Sequence, residues 1–177
     1  SIITASRLAG EKHCDWIVEA VAKARTKVPD ISLDIYGKGG EETHIRNTIE
    51  RLHCADCVRL MGQQNLDEVY KGYEAYVAAS QSEGFGLTLM EAVGSGLPII
   101  GFDVRYGNQT FIDQGKNGYK IKIEDEMDQK RKIELLAEYI VKMFTEDDMC
   151  LFSEHSYGKA RDYMTEEVVK RWIKLLG

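Results

Sequence analysis

Two glutamates separated by seven residues are the side chains best suited to chemistry in this sequence. Glu83 and Glu91 belong to the segment Ser-Glu-Gly-Phe-Gly-Leu-Thr-Leu-Met-Glu, and Gly84 and Gly86 follow the first of them. Glycine lets a ligand approach the backbone closely because it has no side chain. A carboxylate can accept hydrogen bonds from sugar hydroxyls or stabilise positive charge that grows at an anomeric carbon. The pair therefore indicates a ligand that contains a sugar.

The elements that must position these glutamates are a strand, a glycine turn and a helix. The residues from Val77 to Ser80 predict a buried strand, and those from Thr88 to Val93 predict a helix. Free N–H groups and the helix dipole favour an anion at a helix N-terminus. Glu91 falls in the predicted first turn, where the dipole alone would stabilise it by about 0.3–1 kcal/mol; alternatively it binds ribose hydroxyls. The helix N-terminus and the two carboxylates together predict a ligand that carries both phosphate and sugar hydroxyls.

Length and charge restrict the class of protein. The chain has 177 residues, of which 44% are hydrophobic, which suits one domain with a sizeable core. A net charge of −6 argues against a nucleic-acid partner or an anionic membrane. No apolar stretch approaches the roughly 18 residues of a membrane span, so we expect a cytoplasmic protein without a transmembrane segment. Because Ser1 begins inside an apparent strand, we expect a part of a longer protein.

Short apolar segments alternate with helical ones in the first two thirds of the chain. The predicted strands are Ile2–Ala5, Ile31–Tyr36, Val58–Met61, Ala75–Ala79, Pro98–Phe102 and Tyr119–Ile123. The predicted helices are Asp15–Lys27, Glu41–His53, Leu66–Tyr70, Thr88–Gly94 and Gln109–Gln114. The pattern predicts an α/β protein with a doubly wound, mostly parallel sheet of about six strands, followed by C-terminal helices.

Three further patterns carry structural predictions. Asn65 and Glu68 have the spacing of a capping box. Two apolar stripes are predicted to face the core, namely Ile133, Leu136, Ala137, Ile140, Val141 and Phe144, and then Val168, Val169, Trp172, Ile173 and Leu176. Cys54 and Cys57 have C-x-x-C spacing, but no second pair completes a zinc site and neither cysteine opens a helix, so coincidence is favoured over metal or redox chemistry.

Polar and basic residues follow the predicted strands, and in open α/β sheets ligands bind beyond those strand ends. Arg7 and Lys12 follow the first strand. They are either solvated surface charges or the ligands of a diphosphate, to which each hydrogen bond would contribute about 1.5–3 kcal/mol. The run from Gly37 to Gly39 follows the second strand, but Glu42 stands where G-x-G-x-x-G requires glycine, which argues against NAD or FAD.

These motifs together resemble the retaining GT-B glycosyltransferases of glycosyltransferase family 4. The resemblance is carried by Glu83-x7-Glu91, by the segment from Ser6 to Lys12 and by Tyr36-Gly-Lys-Gly39, in that family's order, and it covers about residues 1 to 123 directly. It implies that residues 1–177 form a single domain, the Rossmann-like half of a GT-B fold that binds a UDP-sugar. A separate N-terminal acceptor domain would precede it in the longer protein.

The resemblance also implies roles for individual residues. Those that would hold the donor phosphates, by side-chain charge or backbone N–H, are Arg7, Lys12, Gly84, Phe85, Gly86 and Leu87. Glu83 would face the donor sugar as the catalytic residue, and Glu91 would bind the ribose. Met61 and Gly62 would contact the base. No cofactor or metal is implied, because cations and the helix dipole would neutralise the leaving diphosphate.

Within that family the chain is most similar to transferases of bacterial accessory secretion systems, which add N-acetylglucosamine to Ser or Thr of serine-rich adhesins. Teichoic acid (polyol-phosphate) α-glucosyltransferases are also similar, but they tend to have proline where this chain has Asn108 after Tyr-Gly. A non-catalytic GT-B-like co-activator module is the remaining alternative. The presence of both glutamates and both cations favours an enzyme, for which a co-activator subunit would be a partner. We expect the chain alone to be inactive.

Overall fold

A six-stranded parallel sheet forms the centre of the fold. The structure is a computed structural model that describes residues 1–124 and 126–176. The strands are β1 (Ile2–Ala5), β2 (Leu33–Tyr36), β3 (Val58–Gly62), β4 (Ala75–Ala78), β5 (Ile99–Phe102) and β6 (Gly118–Ile121). Their order is β3-β2-β1-β4-β5-β6, and every neighbouring pair is parallel. This arrangement confirms the predicted doubly wound α/β class.

Helices cover both faces of this sheet. They are α1 (Cys14–Ala24), α2 (Glu42–Arg51), α3 (Leu87–Gly94), α4 (Gly107–Phe111), α5 (Gln129–Thr145), α6 (Met149–Arg161) and α7 (Thr165–Leu176). Successive strand residues point to opposite faces, so Ile2 joins the core beneath α1 and α5, while Ile3 joins the core beneath α3 and α6. Of the described helices, none combines the length and apolar character needed to cross a bilayer.

The segment between β3 and β4 differs from its prediction. No helix spans Leu66–Tyr70; positions 67–69 form a turn, and a 3₁₀ turn follows at Tyr70–Gly72. The Asn65 side-chain oxygen accepts from the Asp67 N–H at 2.9 Å. That bond closes a local turn, and the predicted capping box is therefore wrong. The compact turn brings Tyr70 into the core, where it is 1% exposed.

The two predicted apolar stripes have different outcomes. On α5, Ile133, Leu136 and Ile140 are buried as predicted. On α7 the prediction is wrong, because Trp172 and Ile173 are 59% and 66% exposed; the side chain of Leu176, which belongs to the same stripe, lies outside the described residues. Helical periodicity identifies an apolar face, but it does not say which surface covers that face.

The C-x-x-C pair is buried structure. Cys54 and Cys57 are both free thiols, and each donates a hydrogen bond to a backbone carbonyl, of Ile49 at 3.6 Å and of Cys54 at 3.4 Å respectively. Burial raises the pKa of both thiols. A protonated buried thiol is a poor nucleophile and a poor metal ligand, so the pair acts here as core packing.

Candidate functional site

A cleft of about 780 Å³ opens at the carboxyl ends of β1, β2 and β3. It is lined by Ala5, Ser6, Arg7, Tyr36, Gly37, Lys38, Gly39, Glu42, Gln63, Gln64, Leu66 and Thr88. From the central pair β1 and β4 the strand order runs outward in both directions. Ligands of doubly wound sheets bind at such a switch point, beyond the carboxyl ends of the strands. The cleft therefore lies at the edge that the sequence predicted.

Two glycines after β2 allow the loops of β1 and β2 to pack backbone against backbone. A Cβ atom at Gly37, whose φ is +133°, would lie 1.8 Å from the carbonyl oxygen of Ser6. A Cβ at Gly39 would lie 2.1 Å from the carbonyl oxygen of Leu8. No side chain fits at either distance. This contact explains the Gly-x-Gly spacing without a dinucleotide, and it holds Arg7 in the wall of the cleft.

The glycine turn before α3 combines a constrained residue with an open one. Gly86 has a φ of +80°, and a Cβ there would lie 2.8 Å from Cδ1 of Leu89. A Cβ at Gly84 would meet nothing within 4 Å. Helix α3 begins at the next residue after Gly86, and Thr88 in its first turn lines the cleft. Gly86 is thus required by the turn, and the backbone at Gly84 borders open space.

The predicted phosphate ligand Lys12 and the predicted catalytic residue Glu83 contact each other. Lys12 Nζ donates to Glu83 Oε1 at 2.7 Å, and the two side chains are only 18% and 14% exposed. The loop between β5 and α4 holds the glutamate backbone, because Glu83 N–H donates to the Arg105 carbonyl at 3.0 Å and Tyr106 N–H donates to the Glu83 carbonyl at 2.5 Å. The pair lies at the same sheet edge as the cleft, outside its lining.

His13 connects the two loops that carry this ion pair. It adopts a left-handed conformation with φ of 45° and stacks on Trp16 with ring centroids 3.7 Å apart. Its Nε2 lies 3.1 Å from the amide nitrogen of Gln81, which can only donate, so the imidazole accepts. Burial lowers the pKa of His13 and keeps the ring neutral. The residue after Lys12 is thereby joined to the loop that precedes Glu83.

Glu91 lies farther along α3 than the sequence predicted. The helix begins at Leu87 and has no acidic residue in its first turn, so Glu91 belongs to the second turn and the predicted first-turn position is wrong. Its side chain is exposed, and Oε2 accepts a hydrogen bond from Tyr70 Oη at 3.0 Å. Thr88 lies three positions earlier on the same helix face. Glu91 is therefore one helical turn away from the cleft wall.

The remaining predicted site residues lie at the same edge of the sheet. Met61 and Gly62 end β3, and Gln64 Nε2 donates to the Met61 carbonyl at 2.9 Å. Phe85 and Leu87, in and after the glycine turn, are 54% and 61% exposed. The contacts described for these residues are between protein groups only, so their roles toward a base and toward phosphate remain predictions.

Several residues near the site had no role in the sequence prediction. Among those lining the cleft are Lys38, Glu42, Gln63, Gln64 and Thr88. Three of them directly follow β2 or β3, which is the signal that could have selected them. Glu42, which stands where G-x-G-x-x-G requires glycine, accepts a hydrogen bond from Arg46 at 3.1 Å. Tyr70 gave no local signal, since its role depends on a contact with Glu91.

The sheet is fully parallel in this strand order, a cleft lies at its switch point, and a glycine turn leads into a helix. These features define a Rossmann-like α/β domain. Residues 1–139 match the family model described as Glycosyl transferases group 1, and the chain belongs to this glycosyltransferase family. The predicted family and the predicted enzyme class are both confirmed by this match.

Three comparisons identify known proteins to which the chain is similar. The chain is 53% identical over 177 residues to the UDP-N-acetylglucosamine–peptide N-acetylglucosaminyltransferase GtfA subunit of Limosilactobacillus reuteri subsp. suis, covering 100% of this chain and 35% of that protein. The pneumococcal O-GlcNAc transferase GtfA, solved in complex with UDP and GlcNAc, superimposes with a TM-score of 0.94 at 45% identity over 98% of this chain and 34% of its own. A GtfA/B complex gives a TM-score of 0.93 at 52% identity, covering 99% of this chain and 35% of its own. The chain thus spans about a third of the length of these relatives.

Proposed function

We propose that this chain binds UDP-N-acetylglucosamine as the donor half of a retaining glycosyltransferase. The observation that carries the proposal is the convergence at one sheet edge of a cleft with Arg7 in its wall, the N-terminus of α3 and the Lys12–Glu83 pair. Cations and a helix N-terminus suit a diphosphate, and carboxylates suit sugar hydroxyls. The pneumococcal relative that superimposes on this chain was solved with UDP and GlcNAc, which supports this choice of ligand.

The diphosphate would be bound by Arg7, Lys12 and the backbone from Gly84 to Leu87. Arg7 pairs with Glu11 at 2.7 Å, but its side chain is 74% exposed, and an exposed pair of this kind contributes little stability. The guanidinium is therefore free to exchange that partner for phosphate. Lys12 has three N–H donors, so it can bind a phosphate oxygen without releasing Glu83.

Glu83 would position the donor sugar for transfer. Lys12 and the backbone of Arg105 and Tyr106 hold this glutamate in place. From that position a carboxylate can accept sugar hydroxyls and stabilise the positive charge at the anomeric carbon. The acceptor hydroxyl would attack from the face that UDP leaves, and the cations with the α3 dipole would stabilise the departing diphosphate without a metal.

Likeness to known proteins, rather than a contact within this chain, supports the choice of an acceptor and a partner. We propose a Ser or Thr hydroxyl of a serine-rich adhesin as acceptor, supported by 53% identity to a peptide N-acetylglucosaminyltransferase subunit. Asn108, where the teichoic acid enzymes tend to have proline, donates to the Phe102 carbonyl at 2.7 Å and is fully buried. The likeness to a subunit of the GtfA/B complex supports a GT-B-like partner subunit.

Titration of the chain with UDP tests the binding site. We expect heat of binding that Lys12→Ala and Glu91→Ala each weaken about tenfold or more, because each variant loses a hydrogen bond that involves a charge. Lys142→Ala is the matched control, since Lys142 pairs with Glu146 at the far end of α5. Affinity that stays unchanged in both site variants would contradict the assignment.

A further inference from the structure

We propose that Tyr70 is a positioning residue that orients Glu91 and thereby sets the selectivity of the site for ribose. The inference rests on the proposed binding of a UDP-sugar and extends it to a residue outside the predicted site. Tyr70 follows the turn after β3, is 1% exposed, and donates a hydrogen bond to Glu91 Oε2 at 3.0 Å.

A second buried tyrosine packs against the ring of Tyr70 and restricts its movement. The ring of Tyr70 packs against the ring of Tyr76 with centroids 6.4 Å apart, and Tyr76 on β4 is 2% exposed. Tyr76 Oη donates to the Ala5 carbonyl at 2.8 Å and lies 3.0 Å from Thr88 Oγ1. Ala5 and Thr88 both line the cleft. Tyr76 therefore connects Tyr70, the hydrogen-bond partner of Glu91, to the end of β1 and to the first turn of α3.

The Tyr70 hydroxyl remains a donor throughout the physiological pH range. Burial, followed by the neighbouring Tyr76 and the charge of Glu91, raises its pKa far above the ordinary value of 10. The hydroxyl thus always carries its proton toward the carboxylate. A buried, protonated donor beside an exposed glutamate restricts the rotamers of that glutamate, which would otherwise be free in solvent.

The bond leaves most of the carboxylate for a ligand. Among the residues that the structure describes, Tyr70 is the one side chain that donates to Glu91, and it does so to a single oxygen. An ionised carboxylate has about four acceptor positions. The vicinal hydroxyls of a ribose would occupy part of the remainder, so a correctly oriented Glu91 favours ribonucleotides over nucleotides that lack these hydroxyls.

Comparison of UDP with 2′,3′-dideoxy-UDP tests this role, because the second nucleotide has no hydroxyl for Glu91. In Tyr70→Phe, which keeps the ring against Tyr76, we expect UDP affinity measured by calorimetry to fall about fivefold and dideoxy-UDP affinity to change by less than about twofold. Tyr119→Phe is the matched control, since Tyr119 donates to Asp147 at 2.6 Å on the far side of the sheet. Thermal unfolding of each variant establishes that it is folded.

A double variant separates positioning from packing. With Glu91→Ala already present, Tyr70→Phe should have no further effect on UDP affinity, because the group that it orients is gone. If Tyr70→Phe weakened the affinity for UDP and for dideoxy-UDP by the same factor, the inference would be overturned and the proposed function would stand. A chain that binds neither nucleotide would instead overturn the proposed function and this inference with it.

Discussion

At the scale of single residues, the site is organised by contacts between side chains far apart in the sequence. Lys12 and Glu83 are 71 positions apart, and Tyr70 and Glu91 are 21 apart, yet each pair is joined by a hydrogen bond. Residue types predicted a ligand that contains a diphosphate and a sugar. The pairing of those residues required loop conformations, which no local pattern specifies.

His13 gives the protein a pH-dependent stability. Burial lowers its pKa from the ordinary value of 6.5, and this outweighs the acidic neighbours, chiefly Asp15, that favour the charged form. The stability that the neutral ring contributes is therefore complete above about pH 6.5 and is lost as the pH falls through the lowered pKa of the folded state.

The expected result is a free energy of unfolding that decreases from about pH 7 to about pH 5 more steeply in the wild type than in His13→Asn. Asparagine tolerates the left-handed conformation of this position, where φ is 45°. Urea denaturation across the pH range measures the difference. Identical slopes for the two proteins would show that His13 does not titrate in this way.

At the scale of elements, we predict that Gly37 after β2 tolerates no side chain. Gly37→Ala would place a Cβ 1.8 Å from the Ser6 carbonyl oxygen at a φ of +133°. We expect it to destabilise the fold by about 3 kcal/mol or more and to weaken UDP binding, because the loop that carries Arg7 must move. Gly40→Ala is the control, since a Cβ there meets nothing within 4 Å. Similar losses in both variants, measured by chemical denaturation, would contradict the packing argument.

On the exposed face of α7, by contrast, we expect substitution to change the stability of the fold very little. Trp172 is 59% exposed, so Trp172→Ser should change the free energy of unfolding by no more than about 0.5 kcal/mol. Leu136→Ala on α5 removes a fully buried side chain and should cost about 2–5 kcal/mol. Thermal or urea unfolding of the two variants provides the comparison. A large loss at Trp172 would mean that the face is covered in solution, for instance by a second copy.

The sequence predicted the elements better than the contacts between them. The strands were predictable because short apolar runs between glycine-rich turns have few other solutions, and the parallel sheet then required their polar ends to meet at one edge. Two predictions were wrong for physical reasons. The Asn65 side chain closes a local turn where a helix was predicted, and the apolar stripe that includes Ile173 on α7 is not covered by the core of this chain.

At the scale of the whole molecule, the chain corresponds to 35% of the length of the N-acetylglucosaminyltransferase subunit that it matches. We expect it to bind UDP without transferring the sugar, because the proposed acceptor domain is not part of these residues. Incubation with radiolabelled UDP-N-acetylglucosamine and a serine-rich peptide measures this, with the Limosilactobacillus reuteri relative as positive control. Labelled peptide formed by the chain alone would contradict the expectation.

The Lys12–Glu83 pair provides the site with its own counter-ion. The two charges neutralise each other at 2.7 Å in a position that is largely shielded from water. In the proposed site, Lys12 can bind a simple anion such as sulfate without releasing Glu83, but that anion would lie beside the negative charge of the carboxylate and would offer it no hydrogen bond. A nucleotide-sugar bound as proposed would satisfy both members, since it would bring phosphate for Lys12 and hydroxyls for Glu83. We therefore expect the pair to favour the whole donor over its charged part alone.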